Sequence, residues 1–201
     1  MLLWLGSRSP PVLSGLPRRV GIPVKGEAIA DRAPPGWRSL VALVQAEDAA
    51  AESAAASRLS EDAGSFDLLR ATPLEAAVIG DPGPVERIAA CLVFCNPVAG
   101  QEAEFNDWYS NRHLPDVLRV PGYFSAQRFG LSAPADVDDS CWRYLAVYEV
   151  DHARYDAAIA EVAARSGTAL MPISDAAERP LSAHFLLAAG QRLLTRGPVG
   201  F

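Results

Sequence analysis

The sequence is poor in the residues that most often advertise chemistry. It has three histidines and three cysteines in 201 residues, and the histidines at 113, 152 and 184 fall in separate segments without His-x-His spacing. A metal centre built on such ligands is not expected. Cys91 and Cys95 sit in an apolar run, CLVFC, and an odd cysteine count builds no complete disulfide framework, so buried thiols are expected. Positive charge is also short: 18 basic against 24 acidic residues give a formal net charge of −6, which argues against a nucleic-acid partner. Apolar runs such as 40–44 and, but for Glu149, 145–150 are strand-sized, well below the roughly 20 residues of a membrane span. The start, MLLWLGSRSPP, has neither a basic stretch nor a long apolar core, so we expect no secretory leader and a cytoplasmic protein. No G-x-G-x-x-G follows a strand, and neither G-x-x-x-x-G-K-[ST] nor G-x-S-x-G occurs. Dinucleotide, nucleoside triphosphate and serine hydrolase chemistry therefore lack support, and no cofactor is expected.

What the sequence does have is a hydrophobic half, enough to bury a core for one large domain or two small ones. From Arg87 a regular order emerges. RIAACLVFCN reads as a buried strand, and QEAEFNDWYSNRHL as a helix that Pro115 should end near His113 or Leu114. After the turn signal Pro121-Gly122, YFSAQRFGL reads as a second strand and SAPADVDDS as a loop. CWRYLAVYEV is a third strand. DHARYDAAIAEVAARSG is a helix with Asp151 as cap and Gly167 as stop, and PLSAHFLLAAG is a fourth strand. The order β-α-β-β-α-β is the ferredoxin-like split βαβ arrangement, with two helices on one sheet face. Its other face would be bare and must meet a second sheet, from this chain or another.

The first half of the chain offers that sheet. WRSLVALVQAEDAAAESAAASRL, from Trp37, aligns without a gap on WRYLAVYEVDHARYDAAIAEVAA, from Trp142, and SFDLLRA takes the place of SAHFLLA. Before Trp37, however, stands SRSPPVLSGLPRRVGIPVKG, too rich in proline for a long helix. We therefore expect an α+β barrel of two ferredoxin-like repeats: a degenerate one over 1–86 and a complete one over 87–201 that carries the site. A homodimer is expected because an incomplete first copy would leave sheet edges uncovered.

The richest stretch is FNDWYSNRHLPD, residues 105–116. Tyr109 and His113 are four apart, on one helical face that Phe105 continues. At a helix C-terminus His113 would gain proton affinity from the macrodipole unless burial opposed it, and a histidine titrating near neutrality suits general acid or base work. Tyr109 could donate to a developing enolate or phenolate oxygen, and Arg128 or Arg112 could hold an anion. Phe105 and Trp108 would form apolar walls. Period-two alternation puts Trp142, Tyr144, Ala146 and Tyr148 on one face of the third strand, and this aromatic face suits a flat, oxygenated ligand inside the barrel. His184 could point either way, and His152 belongs on the surface. The plainer reading is that these aromatics pack the helix on its sheet and that His113 caps free carbonyls.

Phe105, Trp108, Tyr109, His113, Pro115, Val120, Pro121, Gly122 and Arg128 together resemble the EthD-like group of the dimeric α+β barrel superfamily, over roughly residues 87–190. Asn111 stands where many relatives carry an acidic or small polar residue. The resemblance implies sheet-to-sheet barrels, usually dimeric, among polyketide cyclases, decarboxylases, isomerases, cofactor-free monooxygenases and haem-binding members. The expected function is cofactor-independent acid/base chemistry (cyclisation, isomerisation, decarboxylation or elimination) on a small oxygenated aromatic or polyketide-like substrate. His113, Tyr109 and Arg128 would be catalytic, with Phe105, Trp108, Asn111, Trp142, Tyr144 and Tyr148 binding substrate. The alternatives are a non-catalytic binding protein of the same fold and a haem-binding barrel with His113 or His184 inside it.

Overall fold

The computed structural model describes residues 1–6, 22–44, 66–132 and 142–194. The first half contributes strands β1 (Leu2–Gly6), β2 (Ile22–Ala28), β3 (Ser39–Val44) and β4 (Phe66–Pro73), and the short β5 (Val78–Ile79) follows. The second half contributes β6 (Ile88–Cys95), β7 (Tyr123–Ser132), β8 (Tyr144–Asp151) and β9 (Leu181–Leu187). Its helices are α1 (Glu102–Trp108), α2 (Leu114–Leu118) and α3 (Tyr155–Arg165). The expected proline-rich segment before Trp37 and the Ala-rich helix after β3 fall largely or wholly outside the described residues, as does most of the expected loop SAPADVDDS.

The strands run in the order β4-β1-β3-β2-β9-β6-β8-β7, and β4 pairs with β7 to close an eight-stranded antiparallel barrel. β5 adds to β7 beside that seam. Closure occurs within one chain, so the sheet edges from which we expected a homodimer pair with each other. At the β2–β9 seam, a Cβ on Gly26 would lie 3.1 Å from Phe185 Cβ, so glycine lets the two halves approach.

Alternation along each strand sorts side chains between two buried layers. Leu3, Leu5, Leu40 and Ala42 from one half meet Leu92, Phe94, Leu145, Val147, Phe185 and Leu187 from the other, and fill the barrel. Trp37 and Trp142 both pack on Phe94, at 5.2 and 6.4 Å. At Glu149, fully buried, the carboxylate accepts from the Leu193 and Leu194 amides at 2.8 and 3.1 Å and pairs with Arg192 at 2.7 Å, which draws the segment after β9 into the same core. Large aliphatic and aromatic side chains buried in this way contribute roughly 1.5–3 kcal/mol each. The barrel interior is therefore structural.

This corrects the expectation for β8. Its period is right but its faces are exchanged: Leu145 and Val147 look into the barrel, whereas Ala146 and Tyr148, with Tyr144 packed beside them, meet the helices. Trp142 precedes the strand and leaves the set, since it packs on the barrel side. His113 and His184 likewise lie outside the barrel, so the haem reading that needed either of them inside loses its geometry.

The helix also outlasts its expected end. A π turn (Tyr109–His113) joins α1 to α2, Leu114 N–H bonds the Tyr109 carbonyl five residues back, and His113 and Leu114 stay in the right-handed helical region before Pro115. The wide turn draws the carbonyl of residue 111 away from the proline ring, which in an α-turn would collide with it. It also hands the buried stripe from Phe105 and Tyr109 to Leu114 and Val117, a five-residue step that an α-turn cannot make. Restoring one backbone hydrogen bond would gain only about 1 kcal/mol, less than the burial of Leu114 and Val117 contributes. Pro115→Ala is thus expected to keep the π turn and change stability by about 1 kcal/mol or less, as a structure of the variant and its urea midpoint would show. A straightened helix would mean that proline, and not the apolar stripe, sets the bulge.

Elsewhere the local reading agrees. Asp151 accepts from the Ala153 amide at 3.0 Å ahead of α3, and Gly167 ends that helical segment at φ +79°. Gly122 has φ +108°, and a Cβ there would lie 3.1 Å from Arg154 Cβ, so the β7 turn admits glycine alone.

Candidate functional site

The predicted site residues converge, but between the helices and the outer face of the second half-sheet. Phe105, Tyr109, Tyr148 and Ala146 share one buried cluster, with Trp108 and Tyr144 against it. Arg128 enters this layer from β7 and is 2 % exposed. Its guanidinium lies 4.7 Å from the Tyr109 ring centroid, 5.4 Å from Phe105 and 5.5 Å from Tyr144. It donates to Ser110 Oγ at 2.7 Å, to Asn106 Oδ1 at 2.7 Å and to the Asn106 carbonyl at 3.3 Å. All these acceptors are neutral, and among the described residues no carboxylate pairs with Arg128. Burial lowers its proton affinity, against which Tyr109 and, from beyond ion-pair distance, Glu75 act.

Tyr109 Oη, Tyr148 Oη and His113 Nδ1 are buried without a partner of hydrogen-bond geometry. His113 stacks on Trp108 at 4.7 Å and meets the Tyr109 ring edge-on at 5.0 Å. It is not a helix-end cation. Burial pushes its pKa down to about 4, with the Asp116 carboxylate pulling partly the other way. The imidazole is neutral at physiological pH, contrary to the expectation from the macrodipole, because the helix continues through Pro115 and the ring is desolvated. Asp116 is buried and paired with Arg112 at 2.7 Å and with Arg119, so Arg112 serves that carboxylate. Burial likewise raises the Tyr109 pKa to about 12 and holds Tyr148 well above the usual phenol range. Both stay protonated donors.

Two predicted residues stand apart. Asn111 is exposed and bonds Asp107 at 2.7 Å on the outward helical face, and Trp142 lies on the barrel side. Three residues were not anticipated. Asn106 and Ser110 hold Arg128, and Glu102 accepts from the Tyr144 hydroxyl, to which Asn106 Nδ2 also donates at 3.2 Å. Asn106 and Ser110 are four apart, a polar stripe beside the aromatic one at Phe105 and Tyr109, and that spacing was the available signal. Nearby, His184 faces α3: its Nδ1 lies 2.5 Å from Tyr155 Oη and 3.7 Å from Cys91 Sγ. Burial pushes this imidazole down to about 4 and the Cys91 thiol up to about 12, an unreactive state. His152 is exposed.

The comparisons with known proteins bear on the architecture. An anthrone oxidase-like protein superposes with a TM-score of 0.54 at 12 % identity, covering 96 % of this chain and 93 % of its own. The fold is an α+β barrel. A candidate monooxygenase from Fusobacterium nucleatum aligns over 92 % of this chain and 90 % of its own, at 11 % identity and a TM-score of 0.48. No protein-family model matches the chain, and no curated protein is similar to it in sequence. Among the described residues no helix is long and apolar enough to cross a membrane, and no group of three or more His, Cys, Asp and Glu could hold a metal ion.

Proposed function

We propose that the helix–sheet layer around Arg128 is the ligand site of a cofactor-independent enzyme that moves a proton on a small, anionic or enolisable aromatic substrate. The observation that carries this reading is the buried guanidinium, boxed by three aromatic rings and bonded only to neutral acceptors. A buried cation without a paired carboxylate is unfavourable by several kcal/mol unless something offsets it; the rings and neutral acceptors do so in part, and an anionic ligand would complete it. In this reading Phe105 and Trp108 wall the ring system, and neutral His113 takes a proton at Nδ1. Tyr109 donates to the oxygen on which charge develops, and Arg128 balances that charge. The imidazolium formed lies next to the new anion, which raises its proton affinity above that of the free protein.

The EthD-like resemblance and the name of the anthrone oxidase-like neighbour support a carbon acid of the anthrone kind as substrate class. The strand orders β4-β1-β3-β2 and β9-β6-β8-β7 are the same, which supports two ferredoxin-like repeats, with the site in the second. Deuterium exchange at the acidic carbon of anthrone, followed by NMR, tests the reading. Wild-type protein should catalyse it, and His113→Gln should lower the rate by about 10²–10⁴-fold while ligand affinity stays. Equal rates in the two proteins would remove His113 as the base. The low proton affinity of His113 makes it a weak base in the free protein, and this favours a second reading: a binding protein without turnover, in which neither variant exchanges the proton although ligand binds.

A further inference from the structure

Tyr109 and Tyr148 carry hydroxyls with no evident role in holding the fold. Both are buried without a partner of full hydrogen-bond geometry, and the two hydroxyls lie close enough for Tyr148 to share its proton with Tyr109. Counting protons decides what such a pair wants. Two facing hydroxyls bring two protons, and at most one can be accepted by the other phenol, so at least one donor is left over among the described residues. Phenylalanine at either position would have avoided that unmade bond.

A single negatively charged oxygen between the rings would accept both protons. Arg128, 4.7 Å over the Tyr109 ring, supplies the opposite charge. Its guanidinium is already engaged with Asn106 and Ser110, so it offers charge more than the free two-pronged fork that carboxylates favour. We propose that Tyr109 and Tyr148 form a two-donor site for the delocalised oxyanion of a phenolate or enolate, which makes Tyr148 a ligand-contacting donor. This rests on the reading of the layer as a ligand site, and it names the anion that the site selects. Both phenols keep their protons at neutral pH, as donors to an oxyanion must.

Titration of the full chain with 4-nitrophenolate, read by the shift of its visible absorbance, and with benzoate by calorimetry, tests the pair. Wild type should bind the phenolate about tenfold more tightly than benzoate. Tyr148→Phe and Tyr109→Phe should each weaken the phenolate by about tenfold and leave benzoate unchanged. Tyr148→Phe removes at most a poorly aligned bond to Tyr109, so the variant should fold as well as wild type to within about 1 kcal/mol, with the urea midpoint as the check. Phenolate affinity that survives Tyr148→Phe, or equal affinity for the two anions, overturns the two-donor site while the ligand site stands. No binding of either anion by wild type, with water alone between the hydroxyls, overturns both.

Discussion

Acidification from pH 7 to pH 4 is expected to remove about 3 kcal/mol of folding stability for each of two histidines. His113 and His184 each have a folded pKa near 4, against 6.5 for the free side chain, and burial is the main cause in both. Between those values the unfolded chain takes up a proton at each site and the folded protein does not. Stability is therefore full above pH 6.5, falls through the window and levels off below about 4. Trp108, Tyr109 and Asp116 bear on His113; Tyr155, Cys91 and Arg32 bear on His184. Asp116 favours the imidazolium and Arg32 opposes it. The combined loss, about 6 kcal/mol, is a large share of the 5–15 kcal/mol that holds a typical domain. Urea denaturation at pH 7, 5.5 and 4 measures it. Replacing both histidines by Gln should flatten the dependence, and an equally steep loss in the double variant would assign acid sensitivity to the carboxylates instead.

The course of the chain was legible where one periodicity served one layer. IAACLVFC reads as a strand because nearly every position is apolar, and β6 is buried on both faces. The same double burial defeated the orientation of β8. When both faces of a strand are covered, alternation shows which residues stay together and not which layer they face. Aliphatic Leu145 and Val147 fill the narrow barrel, and Tyr144 turns to the side where Asn106 and Glu102 can meet its hydroxyl. Pro115 misled for a related reason: its rule assumes an α-helix, and packing of Leu114 imposes a π turn instead. All five tyrosines of the chain fall between 109 and 155, and all five lie in or against the helix–sheet layer. Phe105, Trp108, Tyr109, His113 and Arg128 could thus be singled out from type and spacing. Asn106 and Ser110 could not, because their role depends on β7 bringing Arg128 across from 22 and 18 residues further along.

Arg128→Met is expected to abolish binding of either anionic probe, by at least about 100-fold, while changing folding stability by about 1 kcal/mol or less. Two opposing effects set the second figure. The guanidinium gains from three aromatic rings at 4.7–5.5 Å, roughly 0.5–2 kcal/mol each, and from hydrogen bonds to Asn106 and Ser110. Against this stands the desolvation of a cation that is 2 % exposed and has no carboxylate within ion-pair distance among the described residues. Methionine has similar length, keeps favourable sulfur–aromatic contacts and brings no charge to desolvate, and water can reach the half-buried Asn106 and Ser110 it leaves behind. Binding has no such compensation. A buried anion beside methionine keeps the Tyr109 and Tyr148 donors but loses its counter-charge, and removing one partner of a buried ion pair costs about 3–5 kcal/mol. Arg128→Lys should fall between the two, with charge retained but without the planar group that Asn106 and Ser110 grip together. Chemical denaturation and probe titration on the same three proteins separate the possibilities. A loss of 3 kcal/mol or more in Arg128→Met with little change in probe affinity would make this residue a brace for α1, and the ligand site would then have to be sought away from the Tyr109–Tyr148 layer.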